Sequence, residues 1–312
     1  MIYFPQPILP PFRCEFVGDA AVPDALSEAR SRKAAGEISA DDVAVAEDHA
    51  VENLVKELYE LGFEEISDGN LRGAITAGDL IGTDPAQIVF DSESLLLRNF
   101  NSLRSMVPFG VIARQDLLSP ASVYCEAIGR NSEFAGCAEG VAANVVAAMT
   151  DAMMALYGLG CRSVLFIDST WGNPDLDFLA DINNRVAASL PPDMAVAMRP
   201  LLADMDYPVE TVVGRMKAES VKSLYIHSQA LRRFDLLEHV DGGRNIVVGL
   251  HPELEEQGCQ DKIVSLIELM SCKFPLECLS ISNSGIDGRE ATNYSGLRRK
   301  LRLIKQAAEA TW

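Results

Sequence analysis

The sequence predicts a (β/α)8 barrel, and two observations support this fold class. Short apolar segments alternate with longer helical patterns along the 312 residues, and most of these segments are continuously hydrophobic, as in parallel strands covered on both faces. No linker or internal repeat interrupts the alternation, so we expect one domain over residues 1–312. The eight predicted strands are residues 14–19, 63–67, 122–127, 163–168, 194–199, 223–228, 245–250 and 278–283.

The helical segments between these strands are marked by their ends. Ser39 and Asp42 form a capping pair that predicts a helix through Glu60. An Ala-, Val- and Met-rich helix over 138–158 ends at a Gly-Leu-Gly sequence, which is typical of a helix C-terminus. Further helices are predicted over residues 208–219, 257–272 and 292–310.

Two segments do not fit the alternation. Residues 1–13 are rich in proline and are predicted to form an extended N-terminal arm. Residues 74–115 match the strand-then-helix pattern poorly and are predicted to form an excursion on the top face of the barrel.

The composition excludes several classes of partner. A net charge of −18 argues against nucleic acid or an anionic membrane, since both require a basic surface. We find neither an apolar run of about 18 residues nor a basic, cleavable leader, so a cytoplasmic location is expected. The seven cysteines are scattered and are expected to be reduced and mostly buried. A homodimer or a pathway partner protein is possible from the fold class, without a motif for either.

Active sites of (β/α)8 barrels lie at the carboxyl ends of the strands, and this rule selects the candidate site residues. Asp168 and His227 are the candidate acid–base residues, because histidine titrates near neutrality and a strand-end aspartate can orient it. The alternatives are that Asp168 is a helix N-cap before Thr170 and Trp171, and that His227 is bonded to a neighbouring loop. The strand-end residues are Asp19, Asp68, Asn70, Arg72, Glu126, Asp168, Arg199, His227, Ser228, His251 and Ser284.

Several segments together resemble the catalytic domain of cobalamin-independent methionine synthase, and especially its shorter single-domain homologues. They are FRCEFVGD (12–19), the helix and turn ending in EEISDGNLRG (64–73), LYGLGCRSVLFIDST (156–170) and LSISNSGI (279–286). The resemblance covers nearly the whole chain and implies a (β/α)8 barrel of the methionine synthase and uroporphyrinogen decarboxylase-like type.

The resemblance also implies a zinc site, which this chain does not reproduce. In the family, His, Cys, Glu and Cys ligands hold a zinc ion that activates a thiol, which then takes a methyl group from a methylated folate. The corresponding positions here are Met198, Pro200, Ile226 or His227, and Ser284. We therefore expect the zinc–thiolate chemistry to be lost, while methyltetrahydrofolate remains a cofactor that the resemblance implies.

The amino-acid site of the family has changed as well. Asp19 replaces a serine that contacts the substrate carboxylate, and an anion there would repel a carboxylate. Asn70 replaces a glutamate that binds the substrate amine, whereas Asp168, another amine contact, is retained. These changes predict a substrate other than homocysteine.

Three functions follow from these observations. The first is a zinc-free enzyme for a small, polar, amine-bearing molecule, with Trp171 and Arg199 among the pocket residues. The second is a folate-dependent methyltransferase with another acceptor, in which Trp171 stacks on a pterin ring. The third is a non-catalytic partner subunit. A rebuilt metal site is a variant of the first, with oxygen and nitrogen ligands. Its residues would be Glu126, Asp168, His227 and His251.

Overall fold

In a computed structural model the chain has the predicted fold class, the (β/α)8 barrel. The structure describes residues 13–82, 84, 87–130, 137–202, 206–240, 243–250, 259–283 and 294–311. The strands are hydrogen-bonded in the order β1-β8-β7-β6-β5-β4-β3-β2. They are β1 Arg13–Glu15, β2 Glu65–Ile66, β3 Ile112–Leu118, β4 Ser163–Asp168, β5 Ala195–Pro200, β6 Ser223–His227, β7 Asn245–Gly249 and β8 Leu279–Ser282.

The helices alternate with the strands. Their bounds are α1 Asp24–Ala34, α2 Ala40–Glu60, α3 Ala77–Ile81, α4 Leu95–Met106, α5 Pro120–Arg130, α6 Ala138–Gly158, α7 Leu176–Ser189, α8 Val209–Ala218, α9 Ser228–Arg233, α10 Cys259–Ser271 and α11 Tyr294–Thr311.

Helix α2 forms where its end signals and apolar face predict it. The side chains of Ser39 and Asp42 each bond the other's backbone N–H, which completes the predicted capping box. Helix α6 ends as predicted, with Gly160 at φ 93° just beyond it. The buried face of α2 consists of Val43, Ala50, Val51, Leu54, Val55 and Leu58.

The third strand was predicted at the wrong place. Residues 122–127 lie inside α5, and the strand is Ile112–Leu118, whose first residues fall in the predicted 74–115 excursion. The remainder of that range contains α3 and α4. The predicted N-terminal arm is also one residue too long, because Arg13 belongs to β1, and residues 1–12 lie outside the described part.

The chain divides into two compact units. Within the described residues, the first unit takes the segments up to Ala74, Ser102–Ala113 and the part from Val247 onward. The second unit takes Ile75–Asn101 and Arg114–Ile246. The organisation as one domain therefore stays a prediction.

Helix α6 is long and apolar enough to cross a membrane by length and composition, contrary to the expectation that no such segment exists. It is also a core helix, since eight of its residues, among them Val145 and Met149, are buried in the second unit. The core helix of a soluble protein meets the same criterion, so α6 is weak evidence for a membrane span.

Candidate functional site

In the first unit, the turn after β2 has an unusual backbone. Gly69 and Asn70 follow each other with φ values of 59° and 54°. The backbone N–H of Ala20, beyond β1, donates to the carbonyl oxygen of Gly69 at 2.8 Å. A Cβ at Gly69 would lie 2.6 Å from the Cβ of Ala20, so only glycine fits there. The backbone that carries Asn70 is thus held in place by the segment after β1.

Asn70 and Asp19 face each other across this turn. The Nδ2 of Asn70 donates to Oδ1 of Asp19 at 2.6 Å, and Asp19 is exposed. This bond uses an amide donor, so it leaves the Oδ1 of Asn70 and the Oδ2 of Asp19 as acceptors. Within the described residues neither oxygen has a hydrogen-bond partner. The pair therefore offers oxygen atoms to solvent.

Arg72, two residues further along, is fixed by neighbouring helices. Its side chain is 7% exposed, and its Nη2 donates to Oδ1 of Asp48 at 2.7 Å and to Oγ of Ser102 at 2.8 Å. Asp68 accepts from the backbone N–H of Asn70 at 3.0 Å and lies 3.9 Å from Nη1 of Arg72. These residues form the turn cluster: Asp19, Asp48, Asp68, Asn70, Arg72 and Ser102.

In the second unit, Asp168 lies at the end of β4 inside a fully buried network. Its Oδ1 accepts from the backbone N–H and the hydroxyl of Thr170, at 2.7 and 2.6 Å. Its Oδ2 accepts from Nδ2 of Asn183 at 2.9 Å and Nη2 of Arg215 at 3.2 Å. Arg215 also donates through Nε to Glu219 at 2.6 Å. We call Asp168, Asn183, Arg215 and Glu219 the buried network.

Glu219 retains its proton more strongly than an ordinary glutamate. Burial raises the pKa of Glu219 to about 7, although the Arg215 guanidinium acts to lower it. Its Oε1 accepts from both Arg215 and Asn183, whereas its buried Oε2 has no hydrogen-bond partner within the described residues. Arg215 pairs with both Asp168 and Glu219, which leaves one negative charge in excess when both carboxyl groups are ionised. A proton on Oε2 of Glu219 removes that charge.

Asp168 closes a turn with Thr170 and is also the centre of an ion network. The helix N-cap that the sequence offered as the alternative is wrong, because the next helix, α7, begins only at Leu176. With 0% exposure and four donors on its two oxygens, Asp168 has no oxygen free for an amine in this structure. The acid–base role of Asp168 stays a prediction that this geometry does not favour.

His227 is the last residue of β6, as predicted, and is half-buried. Its Nδ1 accepts from the backbone N–H of Gln229 at 3.1 Å, so the imidazole caps the short helix α9. This bond is local, two residues along the chain, and is not the bond to a neighbouring loop that the sequence offered as an alternative to catalysis. The catalytic role of His227 stays a prediction.

Trp171 is completely buried, which is inconsistent with stacking on a pterin ring in this structure. The next residue, Gly172, lies against the ring of Tyr207, a residue in the segment after β5. A Cβ at Gly172 would lie 2.0 Å from a carbon of that ring. Tyr207 was not among the predicted residues, and its contact depends on the bare backbone of Gly172.

The other predicted positions are scattered. Arg199 is buried on β5, and Ser228 is buried at the start of α9. The strand-end position of Glu126 was wrong, because Glu126 lies on α5, half-exposed and 3.9 Å from Arg130. Its pocket and metal roles consequently lose their basis. His251 and Ser284 lie outside the described residues.

The family's zinc donor set is not reproduced within the described residues. Met198 and Pro200, on β5, supply neither a thiolate nor an imidazole, and His227 alone supplies an imidazole, whose Nδ1 accepts from the backbone N–H of Gln229. Among the described residues, no three His, Cys, Asp or Glu side chains are grouped to hold a metal. Six of the seven cysteines have side chains that the structure describes, and their thiols are free. Of these six, Cys14 and Cys161 are buried, contrary to the expectation of mostly buried thiols.

Sequence reasoning missed several residues that these clusters need. Asp48 carries a signal, because it follows Glu47 in the helix that precedes EEISDGNLRG, and the family's helix at this place also carries a Glu-Asp pair. Ser102 and Asn183 carry none, because each lies on a helix far along the chain from its partners. Arg215 and Glu219 have the i,i+4 spacing of a helical ion pair, but nothing in the sequence links them to Asp168.

Comparisons with known proteins bear on the fold. No family profile matches this sequence, and no curated protein matches it. Among solved structures, it is similar to a candidate vitamin-B12-independent methionine synthase from Listeria monocytogenes, with a TM-score of 0.79 and 23% identity, covering 97% of this chain and 98% of that one.

Two further structures extend the likeness. One is a B12-independent methionine synthase from Shewanella sp. W3-18-1 in complex with selenomethionine, with a TM-score of 0.73 and 13% identity over 98% of this chain and 97% of that one. The other is a methyltransferase from Methanosarcina mazei, with a TM-score of 0.58 and 11% identity over 96% and 94%. These likenesses establish the fold. The chain is a barrel similar to B12-independent methionine synthases along nearly its full length.

Proposed function

We propose that this protein is a methyltransferase-like enzyme that binds a small, amine-bearing molecule through Asp19 and Asn70, without a zinc–thiolate site. The observation that carries the proposal is the Asp19–Asn70 pair, whose two free oxygens face solvent after β1 and β2. A primary ammonium group has three N–H donors and a positive charge, so it complements this pair.

The backbone beneath the pair supports a functional interpretation. A non-glycine residue at φ 54° is uncommon, and such residues concentrate at ligand sites because the surroundings hold them in place. Here the carbonyl oxygen of the preceding Gly69 accepts from the backbone N–H of Ala20, and a Cβ at Gly69 would lie 2.6 Å from Ala20 and 3.0 Å from Leu54. Asn70 is therefore held in position before a ligand arrives, which lowers the entropy cost of binding.

The charges of the turn cluster favour a cation over an anion. Asp19, Asp48 and Asp68 carry three carboxyl groups, against the single guanidinium of Arg72. Arg72 has two of its nitrogens committed to Asp48 and Ser102. A ligand carboxylate would meet Asp19 and be repelled, so an amine without a neighbouring carboxylate is the expected class.

The similar solved structures are the reason for proposing methyl transfer. Two similar barrels are named as B12-independent methionine synthases and a third as a methyltransferase. A scaffold shared over nearly full length supports the same general chemistry, although fold alone does not establish a reaction. The lack of suitable donors at Met198 and Pro200 supports a mechanism without zinc–thiolate activation.

A panel of matched ligand pairs tests the proposal. Each pair contains an amine and the amino acid from which it differs by the α-carboxylate, for example 3-(methylthio)propylamine with methionine and agmatine with arginine. Calorimetry should show the amine binding about tenfold more tightly in at least one pair, since one uncompensated charge contact amounts to roughly 1.4 kcal/mol. Preferential binding of the amino acids would contradict the proposal.

Two variants assign the effect to the site. Asp19→Asn keeps the side-chain shape but removes the charge, so it should abolish the preference for the amine. Asp41→Asn removes an exposed charge from the first turn of α2 and should leave the preference intact. An equal change in both variants would assign the preference to the overall charge of −18.

A second candidate function is transfer of a methyl group from methyltetrahydrofolate to an amine or thiol acceptor. The similarity to named methyltransferases favours it, and the folate would then be the cofactor. Incubation with methyltetrahydrofolate and the amines that bind should yield tetrahydrofolate, measured by mass spectrometry. If amines bind but no demethylated folate or modified amine forms, a non-catalytic binding role remains.

The metal content tests the zinc-free part separately. Protein purified without added metal should contain far less than one equivalent of zinc by mass spectrometry, because Met198 and Pro200 supply no zinc donor and His227 alone would remain among the described ligand positions. A full equivalent would show that residues outside the described part, such as His251, complete a site. A cytoplasmic location and a homodimer or partner protein remain predictions.

A further inference from the structure

Three serine hydroxyls form a chain at the ends of β3 and β4. Ser119, directly after β3, donates through Oγ to Oγ of Ser122 at 3.1 Å. The Oγ of Ser122 lies 3.2 Å from Oγ of Ser169, directly after β4. Ser119 and Ser122 are buried, whereas Ser169 is exposed. We call these three residues the hydroxyl chain.

Counting hydrogen bonds fixes the direction of the chain. The Oγ of Ser122 accepts from the hydroxyl of Ser119 and from the backbone N–H of Ser169, the latter at 2.9 Å. A hydroxyl oxygen has two lone pairs, so both are used, and the hydrogen of Ser122 is left to donate to Oγ of Ser169. The hydrogen of Ser169 itself is then directed away from the chain.

The exposed hydroxyl is also held in position. The backbone N–H of Ser169 is bound to Ser122, and its neighbours Asp168 and Thr170 close a side-chain-to-backbone turn at 2.7 Å. A hydroxyl that already accepts a hydrogen bond becomes a better donor, because successive bonds polarise one another. Within the described residues, Ser122 is the one side chain that is hydrogen-bonded to this hydroxyl.

We propose that Ser169 is a hydrogen-bond donor for a carbonyl oxygen of a bound ligand, directed by Ser119 and Ser122. A neutral carbonyl is the expected class, because no lysine or arginine accompanies Ser169 in the described contacts and Asp168 precedes it. An anionic oxygen could accept a hydrogen bond from Ser169, but no positive charge there would compensate its own charge. The inference goes beyond the proposed amine site and does not depend on it.

Nuclear magnetic resonance of the 15N-labelled protein tests the assignment with acetamide, acetate and ethylammonium as probes. Acetamide should shift the amide signals of Ser169 and Thr170 and bind more tightly than acetate, whereas ethylammonium should leave them unchanged. Ser169→Ala should weaken acetamide binding about fivefold, the effect of one neutral hydrogen bond of roughly 1 kcal/mol. This residue is exposed, so the variant should fold.

The buried neighbour and a control complete the test. Ser122→Ala removes the bond that directs Ser169 and should weaken acetamide binding by a smaller factor. Ser105→Ala, at an exposed serine of α4, should have no effect. The proposal is overturned if acetamide binds Ser169→Ala as tightly as the unchanged protein, if ethylammonium shifts the same signals, or if acetate binds more tightly.

Discussion

The turn cluster and the buried network are built from the same kinds of side chain but differ in access to water. Each of the two groups contains more carboxylates than arginines and includes residues at or just after the end of a strand. In the turn cluster, Asp19 is exposed and Asp48 is 54% exposed. In the buried network, Asp168 and Arg215 are both 0% exposed.

Access to water decides what each set of charges can do. Water and salt screen the turn cluster, so its ion pairs contribute little to stability, and Asp19 can exchange a water contact for a ligand. The carboxylates of the buried network have no water contact to exchange for a ligand. Their hydrogen bonds instead join the end of β4 to α7, to α8 and to the segment after α8. Strand-end position therefore does not by itself indicate function.

Removing the arginine of the buried network should have the largest effect. Arg215→Met leaves Asp168 and Glu219 buried without a cation, and we expect a loss of roughly 3–5 kcal/mol in the free energy of unfolding. Urea unfolding measures it. Arg32→Met breaks an exposed ion pair with Glu37 and should cost below about 0.5 kcal/mol. Comparable losses in the two variants would remove the contrast between buried and exposed charges.

The stability of the protein should fall between pH 5 and pH 8 because of Glu219. Its pKa is raised from 4.5 to about 7 in the folded state, so across this range the folded chain holds a proton that the unfolded chain has released. The free energy of unfolding should therefore drop by about 3 kcal/mol as pH rises through the folded pKa.

The variant Glu219→Gln isolates this contribution. Glutamine cannot release a proton, so the variant should lose less stability than the unchanged protein between pH 5 and pH 8, as measured by urea unfolding at each pH. Parallel pH profiles for the two proteins would mean that Glu219 does not hold its proton.

A matched pair of glycine variants tests the packing beneath the turn cluster. Gly69→Ala adds a left-handed backbone penalty and a methyl group 2.6 Å from the Cβ of Ala20, so we expect a loss of roughly 2–4 kcal/mol. Gly36 also has positive φ, 74°, but open space around it, so Gly36→Ala should cost about 1 kcal/mol. Thermal or urea unfolding gives both values, and equal losses would show that the turn yields to the added methyl group.

The smallest effect on stability is expected for Asn70→Gly. Glycine adopts φ 54° freely, and the lost hydrogen bond to Asp19 is exposed, so the free energy of unfolding should change by less than about 0.5 kcal/mol. Binding of amines should nevertheless weaken. A variant that loses stability but keeps its affinity would make Asn70 a structural residue.

Much of the fold could be predicted from the sequence, and the exception has a physical cause. Seven of the eight predicted strands overlap observed ones, and most of these segments are apolar, although β1 and β2 contain the buried Glu15 and Glu65. Strand β3 instead contains Arg114, Gln115 and Asp116, which are buried because Arg114 bonds Asp116 at 2.7 Å within the strand. Because these residues are polar, the sequence does not indicate a buried strand there. The apolar residues 122–127, at the start of α5, were predicted as the third strand instead.

The site residues were predictable in position but not in orientation. The strand-end rule selected Asp168, which is the last residue of β4, and Asp19 and Asn70, which lie shortly after β1 and β2. Whether such a side chain faces solvent depends on distant partners, as when Arg215 and Asn183 surround Asp168. The spacing of residues along one sequence does not contain that information.

The contact between Tyr207 and Gly172 has a consequence for how related sequences can vary. A side chain at position 172 would occupy the space of the tyrosine ring, with its first carbon 2.0 Å from a ring atom. Homologues that carry any larger residue at 172 should therefore carry a smaller one at 207, and the two positions should change together across evolution. A single substitution at 172 would instead displace the segment that carries Tyr207.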